Sequence, residues 1–202
     1  MIKKIAADYG VEVFETLTGF KNICKLPNIW DETCEKNFIF GYEESIGYVI
    51  GDHIRDKDAI GTSMIVAELA GYLKKRNLKI KDYLEEIYKK YGYYEEFLDS
   101  VYFEGKDGKE DMKKIMDDFR KIEDFEKIGD LKKKVDYIED KENPQDLLKF
   151  YFGEETWFAL RPSGTEPKLK IYAYAVSEDK EEAKRKIRAM KEEIMEKIQA
   201  SR

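Results

Sequence analysis

The stretch ETWFALRPSGTEPKLKIYAYAV constrains this chain more than any other. Two runs with strand character, ETWFAL and KLKIYAYAV, flank Arg161–Pro167. A parallel pair needs a crossover of a dozen or more residues, so two strands this close in sequence pair antiparallel. A plain hairpin turn takes two to five residues with Gly or Asn at its tip. This one holds an Arg, two hydroxyls and a Gly between two prolines, which is more chemistry than reversal requires. Arg161 can grip a phosphate through two parallel charge-assisted bonds. Ser163 and Thr165 add hydroxyl donors, and Gly164 lets backbone N–H groups approach an anion. Pro162 and Pro167 stiffen the loop and lower the entropy lost on binding. Lys168 or Lys170 adds positive charge. A rigid polar hairpin is the bland alternative; phosphate binding is the better reading.

The rest of the second half reads as an α+β unit with an antiparallel sheet. In KEDMKKIMDDFRKI, Met112, Ile115, Met116, Phe119 and Ile122 share one helical face. The run KKVDYIED is strand-like. A final helix from about Glu178 to Gln199 carries Ala183, Ile187, Met190, Ile194 and Ile198 as its buried stripe, with Ser177 as expected N-cap.

The first half reads as an incomplete α/β unit, a mixed sheet with packed helices. VEVFETLT (11–18) alternates as a strand would, followed by a turn at Gly19. A short strand is expected at Phe38–Phe40. DAIGTSMIVAELAGYLKKR is apolar almost all round, which predicts a helix packed on a sheet. A further helix is expected from about Lys81 to Tyr91, stopped by Gly92. The opening MIKKIAADYG resembles the last turns of a helix ended by Gly10, as if entered mid-domain. The boundary between the units is expected near Tyr91–Tyr94, giving 1–93 and 94–202.

A second polar constellation lies in GYEESIGYVIGDHIRDKD (41–58). Glu43, Glu44 and Ser45 sit between glycines after a strand. A carboxylate beside a hydroxyl can clamp vicinal sugar hydroxyls, accepting two bonds while Ser donates or accepts. Glu44 has no assigned contact. The run Asp52–Asp58 also reads as a solvated helix start capped by Asp58, and His53 alone proves nothing.

Composition narrows the partners. The net charge is -6 with 40% charged residues, so no dominant basic field exists to release counterions from a polyanion. Neither a nucleic-acid nor a membrane partner is expected. Cys24, Cys34 and the single His53 make a poor zinc set, and both cysteines read as reduced thiols of a cytoplasmic protein. The hydrophobic fraction of 42% suffices for folding. No long apolar run or signal-peptide pattern is present.

Taken together, GYEESIGY and LRPSGTEPKLKIY resemble two loops of the α-D-phosphohexomutases, of the phosphoglucomutase/phosphomannomutase type. The first resembles that family's sugar-binding loop, the second its C-terminal phosphate-binding loop. ETLTGFK (15–21) resembles a segment adding substrate contacts, which implies such a role for Thr18 and Gly19. The resemblance implies that Glu43 and Ser45 grip sugar hydroxyls, and that Arg161, Ser163, Gly164 and Thr165 hold the non-reacting phosphate. Lys57 matches a family lysine near the transferring phosphate, although its spacing from Glu43 is one residue longer than in some relatives. The Glu-Glu-Ser form favours glucose over glucosamine phosphate.

The family's Ser-His loop with its phosphoserine and its Asp-Gly-Asp loop holding Mg²⁺ have no counterpart here. The chain therefore resembles the latter part of domain 3 plus domain 4. The resemblance implies an enzyme, an isomerase of the phosphotransferase kind, that interconverts hexose 1-phosphate and hexose 6-phosphate. Glucose 1,6-bisphosphate is the implied activator or intermediate. The missing N-terminal domains would be the remaining partner, and the fragment alone is expected to be inactive. A phosphopentomutase or another sugar-phosphate mutase on the same scaffold, or a non-catalytic phosphosugar-binding module, stand as alternatives.

Overall fold

The structure is a computed structural model and describes residues 1–43, 46–103, 108–141, 144–164 and 166–201. It divides into two compact units, Ile2–Ile87 and Tyr88–Arg202, Met1 grouping with the second.

In the unit 2–87 the described elements are helices α1 (Ile2–Asp8), α2 (Phe20–Ile23), α3 (Lys25–Thr33), α4 (Ala59–Lys75) and α5 (Ile80–Tyr91, which runs on past the division), with strands β1 (Phe40–Glu43) and β2 (Gly47–Ile50). The two strands form an antiparallel hairpin in the register Phe40↔Ile50 to Glu43↔Gly47. Its inner face packs on α2, where Phe20, Cys24 and Val49 are buried together. Helix α4 begins where expected because the Asp58 side chain accepts from Gly61 N–H at 2.9 Å. Gly92, at φ 100°, follows α5 as the sequence suggests.

Three expectations for this unit are corrected. Residues 11–17 have no regular structure, because an alternating run is a strand only beside a partner, and Val11, Phe14 and Leu17 are all exposed. The expected strand at 38–40 starts two residues later. Helix α4 does meet strand β2, but its all-round apolar surface is not buried there: Leu73 is its one buried residue. Helices α2 and α3 are not among the elements expected from the sequence; Pro27 lies in the first turn of α3, where proline is tolerated.

The unit 88–202 holds one five-stranded antiparallel sheet, order β3-β7-β6-β5-β4, built from β3 (Tyr93–Tyr102), β4 (Lys133–Asp136), β5 (Leu148–Tyr151), β6 (Trp157–Pro162) and β7 (Lys168–Ser177). Strict alternation along β7 sends Leu169, Ile171, Ala173 and Ala175 inward. There they join α6 (Gly108–Lys121) and α7 (Lys180–Ala200) in a core with Phe119, Phe150 and Phe158 at its centre. Phe150 and Phe158 stack at 4.6 Å, and Phe119 meets both edge-on. The stripes expected on both helices are buried, Ile122 only partly.

The cap of α7 is corrected to Asp179, whose carboxylate accepts from Glu182 N–H at 2.8 Å. Ser177 remains in β7. Two polar clamps fix the loops. Buried Glu193 accepts from the N–H groups of Glu126, Lys127 and Ile128. Arg120 ties α6 to Asp136 at 2.7 Å and Asp146 at 2.5 Å. Burial alone would lower the Arg120 pKa, but these carboxylate bonds raise it overall, so it stays charged.

Candidate functional site

In the unit 2–87, three segments distant in sequence meet at Glu43. The residue ends β1 at the hairpin tip, and its side chain is 4% exposed. Oε1 receives Lys57 Nζ at 2.6 Å and Oε2 receives Gly19 N–H at 3.0 Å. A buried carboxylate costs several kcal/mol unless paired, and here each oxygen has a partner. The structure thus brings Gly19, Glu43 and Lys57 together. Thr18 lies beside them in sequence and accepts from Asn22 Nδ2 through its carbonyl, bracing the start of α2. Ser45 and Glu44 lie outside the described residues.

Lys57 is half exposed and lies over the Phe20 ring at 5.1 Å. The hydrogen bond to Glu43 pushes its pKa up, so it stays an ammonium with donors to spare for an oxyanion. Its loop is pinned at both ends. Arg55 bonds Asp31 at 2.5 Å and Asn28 at 3.1 Å on α3. At the other end, His53 Nε2 lies 3.0 Å from Asp58. Asp58's carboxyl is held below its ordinary range, chiefly by the Gly61 N–H and then by His53, against the opposing effect of burial.

Sequence reasoning missed Gly47, read there only as punctuation. A Cβ at this position would stand 2.6 Å from both Lys57 Cε and Phe20 Cε2. Only a hydrogen fits between the hairpin and the Lys57–Phe20 pair. The spacing G-Y-E-E-S-I-G was visible, but a close approach is a tertiary fact.

In the other unit, β6 ends at Pro162 and β7 begins at Lys168. Ser163 N–H donates to the Lys168 carbonyl at 2.8 Å, and Phe103 N–H to the Pro167 carbonyl at 2.9 Å, so the turn is closed and tied to the end of β3. Ser163 Oγ accepts weakly from Glu166 N–H at 3.4 Å. A Cβ on Gly164 would meet nothing within 4 Å, leaving room against its backbone. Thr165 lies outside the described residues.

Arg161 is exposed and has no hydrogen-bond or ion-pair partner among the described residues. The register sets it directly across from Lys170, with Ser100 on Lys170's other side. Directly paired residues share a sheet face, and like charges placed so are destabilising until an anion joins them. Of the two lysines read from sequence, Lys170 is the one available. Lys168 is bound to Glu166 at 2.6 Å, a bond that raises the lysine's pKa and lowers the glutamate's, and lies over the Tyr102 ring. Among the described residues no group of three His, Cys, Asp or Glu is placed to hold a metal ion.

One unit thus carries a hairpin with a paired carboxylate, and the other an antiparallel sheet with two cations directly opposed. Residues 1–91 match the family model for phosphoglucomutase/phosphomannomutase, alpha/beta/alpha domain III, and residues 120–191 match that for the C-terminal domain. The chain belongs to the phosphoglucomutase/phosphomannomutase family. It is 36% identical over 186 residues to a phosphoglucomutase of Staphylococcus haemolyticus, covering 84% of this chain and 33% of that protein. It is 34% identical over 203 residues to a phosphoglucomutase of Staphylococcus aureus, covering 94% of this chain and 36% of the relative. The chain thus spans about a third of the length of these relatives. In fold it is similar to the crystal structure of the Paramecium exocytosis-sensitive phosphoprotein parafusin, a phosphoglucomutase, in its open form. The TM-score is 0.67 at 20% identity, covering 98% of this chain and 36% of that one. Among the described residues no helix is long and apolar enough to cross a membrane.

Proposed function

We propose that this chain is the substrate-gripping part of a sugar-phosphate mutase that interconverts hexose 1-phosphate and hexose 6-phosphate. In this reading a phosphoserine and Mg²⁺, both outside this chain, perform the transfer through a bisphosphate intermediate. Glucose 1,6-bisphosphate is the activator, and the protein works in the cytoplasm. Phosphoryl transfer is chiefly positioning and charge stabilisation, so a part that only holds its substrate still matters to the rate.

One observation carries the reading: Arg161 and Lys170 oppose each other beside the open Gly164 backbone. Their repulsion becomes attraction when a phosphate dianion lies between them. Arg161 offers the fork and Lys170 a point charge, and Ser163, Gly164 and Thr165 complete the set of phosphate-holding residues in this reading. Glu43, with Ser45, takes the sugar hydroxyls. Two of its lone-pair sites are filled, which leaves acceptor capacity for a diol. Gly19 and Thr18 hold that carboxylate's surroundings, and Lys57 faces the transferring phosphoryl group.

Titration of the chain with glucose 1-phosphate, followed by backbone amide shifts, tests the proposal. Saturable shifts are expected at 161–170, with Arg161→Ala weakening binding by about 1.5–3 kcal/mol, the range for a bond to a charged group. Unchanged affinity in that variant removes the loop from the site. Mannose 1-phosphate and ribose 1-phosphate in the same titration rank the sugar classes. Turnover by the chain alone, above a buffer control, would refute the division of labour.

A further inference from the structure

The turn between β6 and β7 contains one acid, Glu166, and that acid is a rival to any anion the turn would hold. Arg161, directly across from Lys170, has no hydrogen-bond or ion-pair partner among the described residues. A carboxylate laid on these two cations would satisfy both and close the place to a phosphate. The fold keeps Glu166 elsewhere. Lys168 N–H donates to the Glu166 carbonyl at 2.8 Å, a three-residue turn about Pro167, whose φ of about −65° suits that geometry. The turn sets the two side chains side by side, and Lys168 Nζ meets Glu166 Oε2 at 2.6 Å. Lys168 is the anchored member. Its side chain is 15% exposed, lies over the Tyr102 ring at 5.5 Å and hydrogen-bonds the Tyr102 side chain. Its carbonyl accepts from Ser163 N–H at 2.8 Å. Glu166 is the freer member, its side chain 55% exposed. Its carboxyl is held below the usual range first by the Lys168 bond and, more weakly, by Lys170, which is therefore within electrostatic reach of it.

We propose that Lys168 is a positioning residue of this anion site: it ties the Glu166 carboxylate back from Arg161 and Lys170, so that the opposed cations stay open to a phosphate. This rests on the reading of Arg161 and Lys170 as phosphate-holding groups, and it gives Lys168 a task other than touching the ligand. The tie acts before any ligand arrives. It removes an internal competitor that would otherwise sit a few residues from the cations in every molecule.

The test is a titration of the chain with inorganic phosphate, read by the Arg161 Nε–H resonance, with β7 amide protection as the control for folding. In Lys168→Met the freed carboxylate should pair with Arg161. The Arg161 signal should then shift and follow a carboxylate titration with pH. Phosphate affinity should fall about fivefold, the upper end for a competing exposed ion pair. Adding Glu166→Gln should abolish that titration and recover the affinity, and Lys168→Arg, which keeps the tie, should match the parent. Lys149→Met separates the tie from the loss of one charge. Lys149 pairs with Ala159, so it is a diagonal neighbour of Arg161 on the same sheet face, and it lies over the Trp157 ring at 3.7 Å. Its removal should leave the Arg161 titration unchanged and weaken phosphate by no more than about twofold in ordinary salt. An unmoved Arg161 signal in Lys168→Met, or a shift that survives Glu166→Gln, overturns the tie. Equal losses of affinity in Lys168→Met and Lys149→Met reduce Lys168 to a distant charge and overturn it too. Should Lys168→Met leave β7 unprotected, Lys168→Gln takes its place, and unfolding in both shows a structural role instead. The two readings fail separately. A carboxylate titration at Arg161 in Lys168→Met, with no phosphate bound by the parent chain, refutes only the phosphate site. Saturable phosphate binding with Arg161 unmoved by Lys168→Met refutes only the tie.

Discussion

The two units hold themselves together by different means. Among the described residues, those of 88–202 gather eighteen buried apolar side chains into one cluster around Phe119, Phe150 and Phe158. Residues 2–87 gather three, Phe20, Cys24 and Val49, and rely on polar ties: Arg55 to α3, Asp58 capping α4, Lys57 to Glu43. Burial is the dominant favourable term in folding, whereas an exposed ion pair contributes little. The turn between β6 and β7 is therefore mounted on a frame with a large apolar core. The Glu43 carboxylate is mounted on a frame with a much smaller apolar core.

The sharpest break in that contrast comes from paired truncations. Phe158→Ala should destabilise the unit 88–202 by about 3–5 kcal/mol, the cost of deleting a buried aromatic. Met64→Ala in the chain alone should shift stability by no more than about 0.5 kcal/mol, as exposed substitutions do. Urea denaturation read by tryptophan fluorescence measures both, and similar losses would erase the contrast. Next in size, Glu193→Ala should cost about 1.5–3 kcal/mol by stripping the acceptor from three backbone N–H groups. Amide exchange at 126–128 should rise in step.

Gly47→Ala should leave the global midpoint nearly unchanged while displacing Lys57 from Glu43, since Phe20 cannot yield. Lysine ammonium resonances report that loss, and an intact Lys57–Glu43 bond in the variant would show the close approach to be slack. The smallest effect concerns pH. The folded Asp58 carboxyl sits below its unfolded value, so its cap stabilises α4 above the ordinary aspartate range, near 3.9, and is lost as pH falls through the lowered value. First-turn amides of α4 should exchange faster as pH falls below the ordinary aspartate range, after correction for intrinsic rates, while β7 holds. Lys57 has the opposite sign: raised by Glu43, its contribution is present at neutral pH and fades only as pH climbs beyond the usual lysine range.

Local signals made much of the second unit legible. Period-two alternation in KLKIYAYAV and the stripes of α6 and α7 reflect one buried face each, and burial of one face writes itself directly into sequence. Asp58 as a cap is legible for the same reason, because capping is a short-range bond. The first unit misleads where its partners are non-local. VEVFETLT has a strand's alternation and no neighbour to bond, and α4 has a core helix's composition and no core. Both patterns describe surroundings that the described residues do not provide.

The sequence by itself determined the antiparallel hairpin around Arg161–Pro167, the set of anion-binding residue types in it, and the family. Only the tertiary structure decided which groups work together. It set Lys170 opposite Arg161 and spent Lys168 on Glu166. It carried Lys57 across the hairpin to Glu43, and it made Gly47 a steric necessity. The reason is range. Propensity, capping and alternation are properties of neighbours along the chain, whereas charge pairing and close approach are properties of neighbours in space.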